Sequence, residues 1–342
     1  MSQHTEPTIH DIARELKISA STVSRALNDH PRISLKTKEK IKAVADRLGY
    51  RPNTLASNLR QKKSNTIGIV VPLINRHFFS SVISGVEDIA FKAGYNVVIS
   101  QSNDMAAKEI SIVQSMFSNR VDGLIISIAM QSITFDHLKL FIKKHIPLVF
   151  FDRVVPDIET DKVVVDDFTG GFRVTRHLIE QGYKRIAHLA GNLNLMMYLN
   201  RKQGYMQALE ESGISYDESL VIINTLTSEE GVKAVRQLMS LPEPPDAIFC
   251  GNDTTALSSM IYLRDKGINI PRQMGIVGFS NEPFSSVVSP SITTIAQPGF
   301  EMGQKAAQML IRQIESRERK YETIVLPTEL IIRESSQKKS NQ

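Results

Sequence analysis

The 342-residue chain contains one cysteine, Cys250, and no tryptophan. A single cysteine excludes a disulfide framework within the chain and any multi-cysteine metal site. No stretch reaches the roughly 18 uncharged apolar residues that a membrane span needs, and residues 1–10 lack the apolar segment of a secretory signal. We therefore expect a protein of the reducing cytoplasm that does not associate with membranes.

The sequence also lacks the motifs by which common enzymes are recognised. It contains no Gly-x-Gly-x-x-Gly, no phosphate-binding loop, no Gly-x-Ser-x-Gly and no His-Glu-x-x-His, and its eight histidines show no metal-ligand spacing. The adjacent Asp166 and Asp167 lie in a predicted strand-to-helix turn, which favours a helix cap over an acid–base pair. The sequence predicts neither an enzyme nor a bound cofactor or metal.

The charge that is present is unevenly distributed. Residues 1–65 carry 13 Lys/Arg and 6 Asp/Glu, a formal charge of +7, whereas residues 66–342 carry 28 and 30, a charge of −2. A basic head on a near-neutral body is typical of a polyanion-binding module joined to a globular unit. A merely solvated basic N-terminus would carry the same charge. The length allows two or three domains.

Two short amphipathic helices are predicted in the head. Thr8 and Asp11 form a capping box at the start of the first, and Ser19 caps the second after a tight turn. Each helix has one apolar face at helical spacing, formed by Ile9, Ile12, Ala13 and Leu16, then by Val23, Ala26 and Leu27. Ser21 and Arg25 lie opposite that face. This arrangement is a helix-turn-helix pattern.

The outward residues of the second helix have the chemistry of base recognition. An arginine fork holds the O6 and N7 atoms of guanine, a serine hydroxyl bonds to a base edge, and an alanine methyl packs on a thymine methyl. The sequence therefore predicts that Arg25, Ser21 and Ala20 read bases in the major groove.

A third helix is predicted from Ser34 to Leu48, with Gly49 as its C-cap. Its lysines, which we interpret as a solvated face with a few phosphate contacts, are Lys36, Lys38, Lys40 and Lys42. Beyond Pro52, Asn53 caps a short helix that runs through Arg60. About eight residues are too few for a stable helix in water, so this segment should order only against a partner such as DNA and a second copy of itself.

From residue 66 onward, apolar strands alternate with helices. The predicted strands are 67–71, 97–100, 123–128, 147–151, 185–190, 220–224, 246–250 and 274–279, and the intervening helices are 78–93, 106–119, 135–144, 167–181, 200–212, 228–240 and 253–266. The tail adds a strand at 293–297, a helix at 300–315 and strands at 323–327 and 329–333. Such alternation indicates parallel sheets covered on both faces, and we expect two doubly wound lobes.

Ligands collect beyond the carboxyl ends of parallel strands. The candidate effector-binding residues are Asn75, Phe78, Phe79, Asp152, Arg201, Asn252, Asp253 and Ser280. Further polar residues at strand ends are Gln101, Asn103, Ser127, Arg153, Asn192 and Asn281. Carboxylate, amide and guanidinium groups beside two phenylalanines suit a polyhydroxyl ligand. Asn or Asp before a helix is also a common N-cap, so both interpretations stay open for Asn252 and Asp253.

The run TIHDIARELKISASTVSRALN, followed by LGYRPN and a short helix ending at Leu59, resembles the LacI/GalR family of bacterial repressors. The resemblance covers nearly the whole chain. It implies that residues 53–60 form a hinge helix that packs against its dimer mate in the minor groove, with Leu59 as the wedge that opens the central base step. The alternative for Leu59 is an ordinary apolar contact in the linker. The expected DNA-binding residues are Thr8, Ala20, Ser21, Thr22, Ser24, Arg25, Asn28, Tyr50, Asn53, Ala56 and Leu59.

The resemblance also implies a domain plan. It gives a helix-turn-helix domain at 1–52, a hinge and linker at 53–65, an effector domain of periplasmic-binding-protein type at 66–336 and a polar tail at 337–342. The lobes are expected to be discontinuous, about 66–163 with 294–325 and about 164–293 with 327–336. Asp152, Arg201 and Asn252 match effector-contacting positions. The chain departs from the family after its Gly-Phe dipeptide, where Ser280 and Asn281 replace the usual acidic residue, so either the ligand differs or Glu282 compensates.

These observations predict a ligand-responsive transcriptional repressor. It is expected to bind double-stranded, near-palindromic operator DNA as a homodimer and a small-molecule effector, a sugar or related metabolite, between its lobes. The tail after Arg333 lacks a heptad repeat, which favours a dimer, with the helix at 106–119 and the first helix of the N-lobe as interface candidates. The alternative is a cytosolic sugar-binding sensor without DNA function.

Overall fold

The computed structural model describes residues 7–50, 63–316 and 320–338 and divides the chain into two compact units, 1–64 and 65–342. The predicted hinge helix, with Asn53, Ala56 and Leu59, lies outside the described residues. So do residues 339–342 of the polar tail.

Three helices lie within residues 7–50, the main described part of the first unit. They are α1 (Ile9–Leu16), α2 (Ala20–Leu27) and α3 (Leu35–Leu48). The predicted capping box is confirmed, because the Asp11 carboxylate accepts hydrogen bonds from the Thr8 N–H at 2.8 Å and its hydroxyl at 2.7 Å. These bonds lower the pKa of Asp11. Gly49 caps α3 in the left-handed conformation, with φ of 68°, as predicted.

The three helices enclose one small core. Its buried members are Ile12, Ala13, Val23, Ala26, Ile41 and Ala45. The predicted apolar face of each helix therefore points inward, and burial of these side chains is what holds such short helices together.

The second unit begins with strands and helices in regular alternation. They are β1 (Thr66–Val71), α4 (His77–Lys92), β2 (Asn96–Gln101), α5 (Ala106–Ser118), β3 (Gly123–Ile126), α6 (Asp136–Lys143), β4 (Leu148–Phe151) and β5 (Asp161–Val165). The second run is α7 (Asp167–Glu180), β6 (Ile186–Ala190), α8 (Met196–Glu211), β7 (Val221–Ile223), α9 (Ser228–Met239), β8 (Ala247–Cys250), α10 (Asp253–Asp265), β9 (Gly275–Val277) and α11 (Phe284–Val287). The chain ends with β10 (Thr294–Ala296), α12 (Gly299–Glu315), β11 (Thr323–Leu326) and β12 (Glu329–Ile331).

Two separate parallel sheets organise this unit, which confirms the predicted two-lobed α/β fold. The first lobe has the strand order β11-β5-β4-β3-β1-β2, and the second has β7-β6-β8-β9. All pairs within these two sheets are parallel. The late strand β11 pairs with β5, so the chain returns to the first lobe after completing the second.

Some elements differ from the sequence prediction. Strand β5 was not predicted, because it opens with Asp161 and Lys162 and alternates buried and half-buried residues instead of forming an apolar run. Helix α8 begins at Met196, four residues early, so Arg201 lies inside the helix and not at its start.

The expected boundary at residue 294 is also displaced. Bridges from Val277 to Thr293 and from Ser280 to Ala296 place β10 beside the second lobe's sheet, where it pairs with β12. The return to the first lobe is made by α12, which packs on α4 through Gly85 and Gly303. A Cβ at either glycine would lie 2.0 Å from a backbone carbonyl oxygen of the facing helix, so only glycine allows this approach.

Among the described residues, none of the helices combines the length and apolar character needed to cross a membrane.

Candidate functional site

A cavity of about 130 Å³ lies between the two lobes of the second unit. Seven of the eight predicted effector-binding residues line it: Phe78, Phe79, Asp152, Arg201, Asn252, Asp253 and Ser280. Asn75 does not. It is exposed in the loop before α4, so its predicted ligand contact is not supported. Gln101, Asn103 and Asn192 also lie outside the lining.

The Arg201 side chain is held at the cavity by two hydrogen bonds and an aromatic ring. It is 2% exposed; its Nε donates to Asp167 Oδ1 at 2.8 Å and its Nη1 to the Gly251 carbonyl at 3.0 Å. The guanidinium carbon lies 3.5 Å from the centre of the Phe279 ring. Nη2 has no hydrogen-bond partner among the residues that the structure describes. The guanidinium is thus fixed in place with one donor left unpaired beside the cavity.

Glycines bring Arg201 and Asp167 together. A Cβ at Gly171 would lie 2.3 Å from the Arg201 carbonyl oxygen, and one at Gly204 would lie 2.1 Å from the Phe168 carbonyl oxygen. Helices α7 and α8 therefore pack backbone to backbone at this point. Burial raises the pKa of Asp167 to about 6 against the opposing effect of Arg201. Asp166 caps α7 by accepting the Thr169 N–H at 2.9 Å, as predicted, while Asp167 has the unpredicted role of holding Arg201.

Asp152 and Arg153 stand at the end of β4 with little internal bonding. Asp152 has a φ of 57°, a left-handed conformation that is uncommon outside glycine and concentrates at functional sites. Its carboxylate accepts one long hydrogen bond, from Ser127 at 3.4 Å, and lies 4.0 Å from Arg153 Nε. Burial raises its pKa, opposed by the nearby arginines. Arg153 binds Asp104, but its Nε has no protein partner.

The cavity is therefore lined by buried polar groups whose hydrogen-bonding capacity is not filled. Three N–H donors have no hydrogen-bond partner among the described residues: Arg153 Nε, Arg201 Nη2 and Gln297 Nε2. The Asp152 carboxylate supplies acceptors, and Phe78 and Phe79 supply an apolar wall with rings at 5.2 Å. Buried polar groups without partners are costly. A molecule with several hydroxyl groups satisfies donors and acceptors together.

The other three predicted residues are occupied by the protein itself. Asn252 caps α10 by accepting the Thr255 N–H at 2.8 Å, and its amide donates to the Leu226 carbonyl at 3.0 Å. Asp253 accepts from Thr294 Oγ1 at 2.6 Å and the Glu282 N–H at 2.7 Å. Ser280 donates to Gln297 at 2.9 Å. The capping interpretation of Asn252 is thus correct, and Asp253 anchors a loop.

Glu282 occupies the region where the family's acidic residue is missing. Its side chain lines the cavity, and its two carboxylate oxygens lie 3.2 and 3.3 Å from the backbone nitrogen of His77 in the first lobe. The carboxylate is therefore directed at the other lobe.

Several lining residues were not among the sequence predictions. They include Leu73, Arg76, Asp104, Met130, Tyr198, Thr254 and Gln297. Asp104 follows β2 and Thr254 adjoins the predicted Asn252–Asp253 pair, so strand-end position was an available signal for both. Gln297 ends the predicted strand at 293–297, so the same signal was available for it, whereas Tyr198 reaches the cavity from within α8, where strand-end position gives no signal.

The first unit presents the predicted base-reading face. Ser21, Arg25, Thr8 and Asn28 are exposed, and Ala20, Thr22, Ser24 and Tyr50 are half-buried. Ser19 caps α2, with its hydroxyl oxygen 2.8 Å from those of Ser21 and Thr22. Ala20 and Tyr50 also pack against the head core, so both have a structural contact. Arg25 is exposed and is available to a partner.

Lys38 differs from the solvated lysine that was expected. Its ammonium lies 2.5 Å from the Asp29 carboxylate and 3.1 Å from the Asp29 carbonyl oxygen, and its side chain is 18% exposed. It ties down the loop between α2 and α3. Lys36, Lys40 and Lys42 are exposed, as predicted.

Each of the two units matches a known protein family. Residues 8–53 match bacterial regulatory proteins of the lacI family, and residues 64–334 match the periplasmic binding proteins and sugar binding domain of the LacI family.

Full-length relatives show the same pairing of units. The chain is 33% identical over 334 residues to the transcriptional repressor CytR of Escherichia coli K12, across 98% of this chain and 97% of that protein. It is 32% identical over 330 residues to catabolite control protein A of Priestia megaterium, across 96% and 99%. A lac repressor dimer bound to operator and an anti-inducer superposes with a TM-score of 0.85 at 25% identity, across 97% and 99% of the two chains.

Proposed function

The chain belongs to the LacI family of bacterial transcriptional regulators, and we propose that it represses transcription by binding a near-palindromic operator as a homodimer under control of a small-molecule effector. The effector is a sugar or related metabolite that occupies the cavity between the lobes. Arg25, Ser21 and Ala20 read bases. Asp152, Arg153 and Arg201 bind the effector, with Phe78 and Phe79 against its apolar face.

The observation that carries this proposal is the array of buried, unpartnered groups in the cleft. Arg153 Nε and Arg201 Nη2 are donors without protein partners, and Asp152 is an acceptor with one long bond. A protein that only needed to fold would leave few such groups. A polyhydroxyl ligand fits because each hydroxyl both donates to a carboxylate and accepts from a guanidinium.

A ligand screen on the full chain tests the effector site. Sugars, sugar phosphates and nucleosides are added separately, and the melting temperature of the second unit is recorded. A true ligand raises the melting temperature by mass action. At 100 times its Kd, the ligand adds about 2.7 kcal/mol to the free energy of unfolding. Arg153→Met should abolish that shift. A ligand that stabilises wild type and this variant equally would contradict the assignment.

Gel-shift measurements test the DNA-binding proposal against a sugar sensor without DNA function. A repressor should prefer one palindromic duplex, selected from a random pool, over unselected DNA of the same length. A sensor should show no preference. The exposed Arg25 on a basic unit favours the repressor.

Two further statements belong to the proposal. The family's members act as regulators and not as enzymes, and we extend this to the present chain. Cytoplasmic location and the dimer are inferred from the family and from the need to place one head on each operator half-site. Thr8, Thr22, Ser24, Asn28, Tyr50, Asn53, Ala56 and Leu59 complete the proposed DNA contacts.

A further inference from the structure

Glu282 joins the two lobes at the rim of the cavity. Its carboxylate, on the second lobe, accepts from the backbone N–H of His77, the first residue of α4 in the first lobe. Arg76 is the N-cap residue of α4, and its side chain makes no capping hydrogen bond to the helix. A carboxylate at a helix N-terminus is favoured by the free N–H groups and by the helix dipole.

The loop that carries Glu282 is held firmly in the second lobe. The Glu282 N–H donates to buried Asp253 at 2.7 Å. The preceding Asn281 accepts from Arg333 Nη2 at 2.8 Å, and its N–H donates to Thr294 Oγ1 at 3.2 Å. Ser280 and Asn281 both have positive φ, 114° and 53°. A fixed loop presents the 9% exposed Glu282 side chain in one direction, across the cleft.

A second contact between the lobes runs in the same direction, from a donor on the first lobe to an acceptor on the second. Arg76 of the first lobe donates to Thr254 Oγ1 of the second. Arg76 and His77 are adjacent in sequence, so one short segment of the first lobe donates both hydrogen bonds to the second lobe. The same segment leads directly into Phe78 and Phe79, the aromatic wall of the cavity.

We propose that Glu282 is a positioning residue of the cleft. By binding the N-terminus of α4, it fixes the separation of the lobes and the placement of the Phe78–Phe79 wall. It lies just beyond Ser280 and Asn281, which replace the acidic residue that the family usually carries after Gly-Phe. The relevance to effector binding rests on the proposed function, whereas the contact between the lobes is testable without any ligand.

Amide hydrogen exchange on the ligand-free full chain tests this role. In Glu282→Ala, the peptide spanning residues 73–80 should exchange on the order of tenfold faster, because the His77 N–H loses a charged acceptor. Small-angle scattering should show a larger radius of gyration, since the lobes separate. Peptides within α10 should exchange as in wild type.

Two further variants keep the result decisive. Glu301→Ala removes an exposed carboxylate from the first turn of α12 and should change neither measurement. Glu282→Met keeps the length of the side chain but removes its acceptor oxygens. It replaces the alanine variant as the test if Glu282→Ala raises amide exchange throughout the second lobe. Unchanged exchange at 73–80 in Glu282→Met would overturn the proposal. An effector screen without hits would instead weaken the proposed function and leave this result standing.

Discussion

Two arginines show how differently the two units are built. Arg25 in the first unit is exposed, whereas Arg201 in the second is 2% exposed and hydrogen-bonded to Asp167 and Gly251. The head thus holds its proposed binding groups on the surface of a small core. The body buries them and fixes them with partners distant in sequence. A site that reads DNA needs accessible side chains, and a site that encloses a small ligand needs oriented ones.

The sharpest test of this comparison is Arg201→Ala. Removing one partner of a buried ion pair leaves the other without compensation, which costs about 3–5 kcal/mol. We expect a loss of that size in the unfolding free energy of the body, measured by urea denaturation. Arg176→Ala removes a half-exposed arginine of α7 that pairs with Glu180, and it should cost less than about 1 kcal/mol. Equal losses in the two variants would contradict the structural role of Arg201.

The corresponding change in the head is Arg25→Ala. Because Arg25 is exposed, the unfolding free energy should be unchanged. Discrimination at one base pair of the selected operator should fall by about 1–3 kcal/mol, measured by competition gel shift against single-base operator variants. Lys42→Ala is the matched control, and it should lower affinity for all sequences and reduce the salt slope by about 1. Unaltered base preference in Arg25→Ala would remove its reading role.

The same contrast explains what the sequence could predict. In the head, capping residues and apolar spacing act within a few positions, so the Thr8–Asp11 box, the Ser19 cap and the outward Arg25 were all deduced from local pattern. In the body, a predicted helix start and the family resemblance pointed to Arg201, and the strand-end rule pointed to Asp152. It did not identify the Asp167–Arg201 pair, because that pair depends on the close approach of two helices at Gly171 and Gly204.

Position after a strand also leaves open what each side chain contacts. Asn75 and Ser280 both follow strands, yet one is exposed and the other bonds to Gln297. Strand-end position gives a neighbourhood, and the loop conformation decides which side chains enter the cavity. The sequence analysis raised Glu282 only as a replacement for a missing acidic residue, since its contact with His77 joins positions 205 residues apart.

Asp253 extends the comparison to pH. Burial raises its pKa to about 7 from 3.8, so between these values the folded state binds a proton that the unfolded state has lost. Its contribution to stability is present in full below pH 3.8 and is lost as pH rises to 7, by about 1 kcal/mol per pH unit. Asp253→Asn cannot ionise. We expect the difference in unfolding free energy, wild type minus variant, to fall between pH 5 and 7 in urea titrations and to level off above. A constant difference over this range would contradict the raised pKa.

The smallest expected effect concerns Lys38, a lysine of the head whose ammonium is paired with a carboxylate of the same unit. Lys38→Met removes the ammonium that holds Asp29, a residue with a left-handed φ of 53°. Because this pair lies near the surface, its loss is modest, and amide exchange in residues 28–34 should rise by a factor of about 3 to 10. Lys42→Met removes an exposed lysine from the same helix and should leave that exchange unchanged while reducing the salt dependence of DNA binding. If Lys38→Met changed only the salt dependence, Lys38 would be a phosphate contact like its neighbours, and the division between exposed binding groups and internally paired ones would no longer hold within the head.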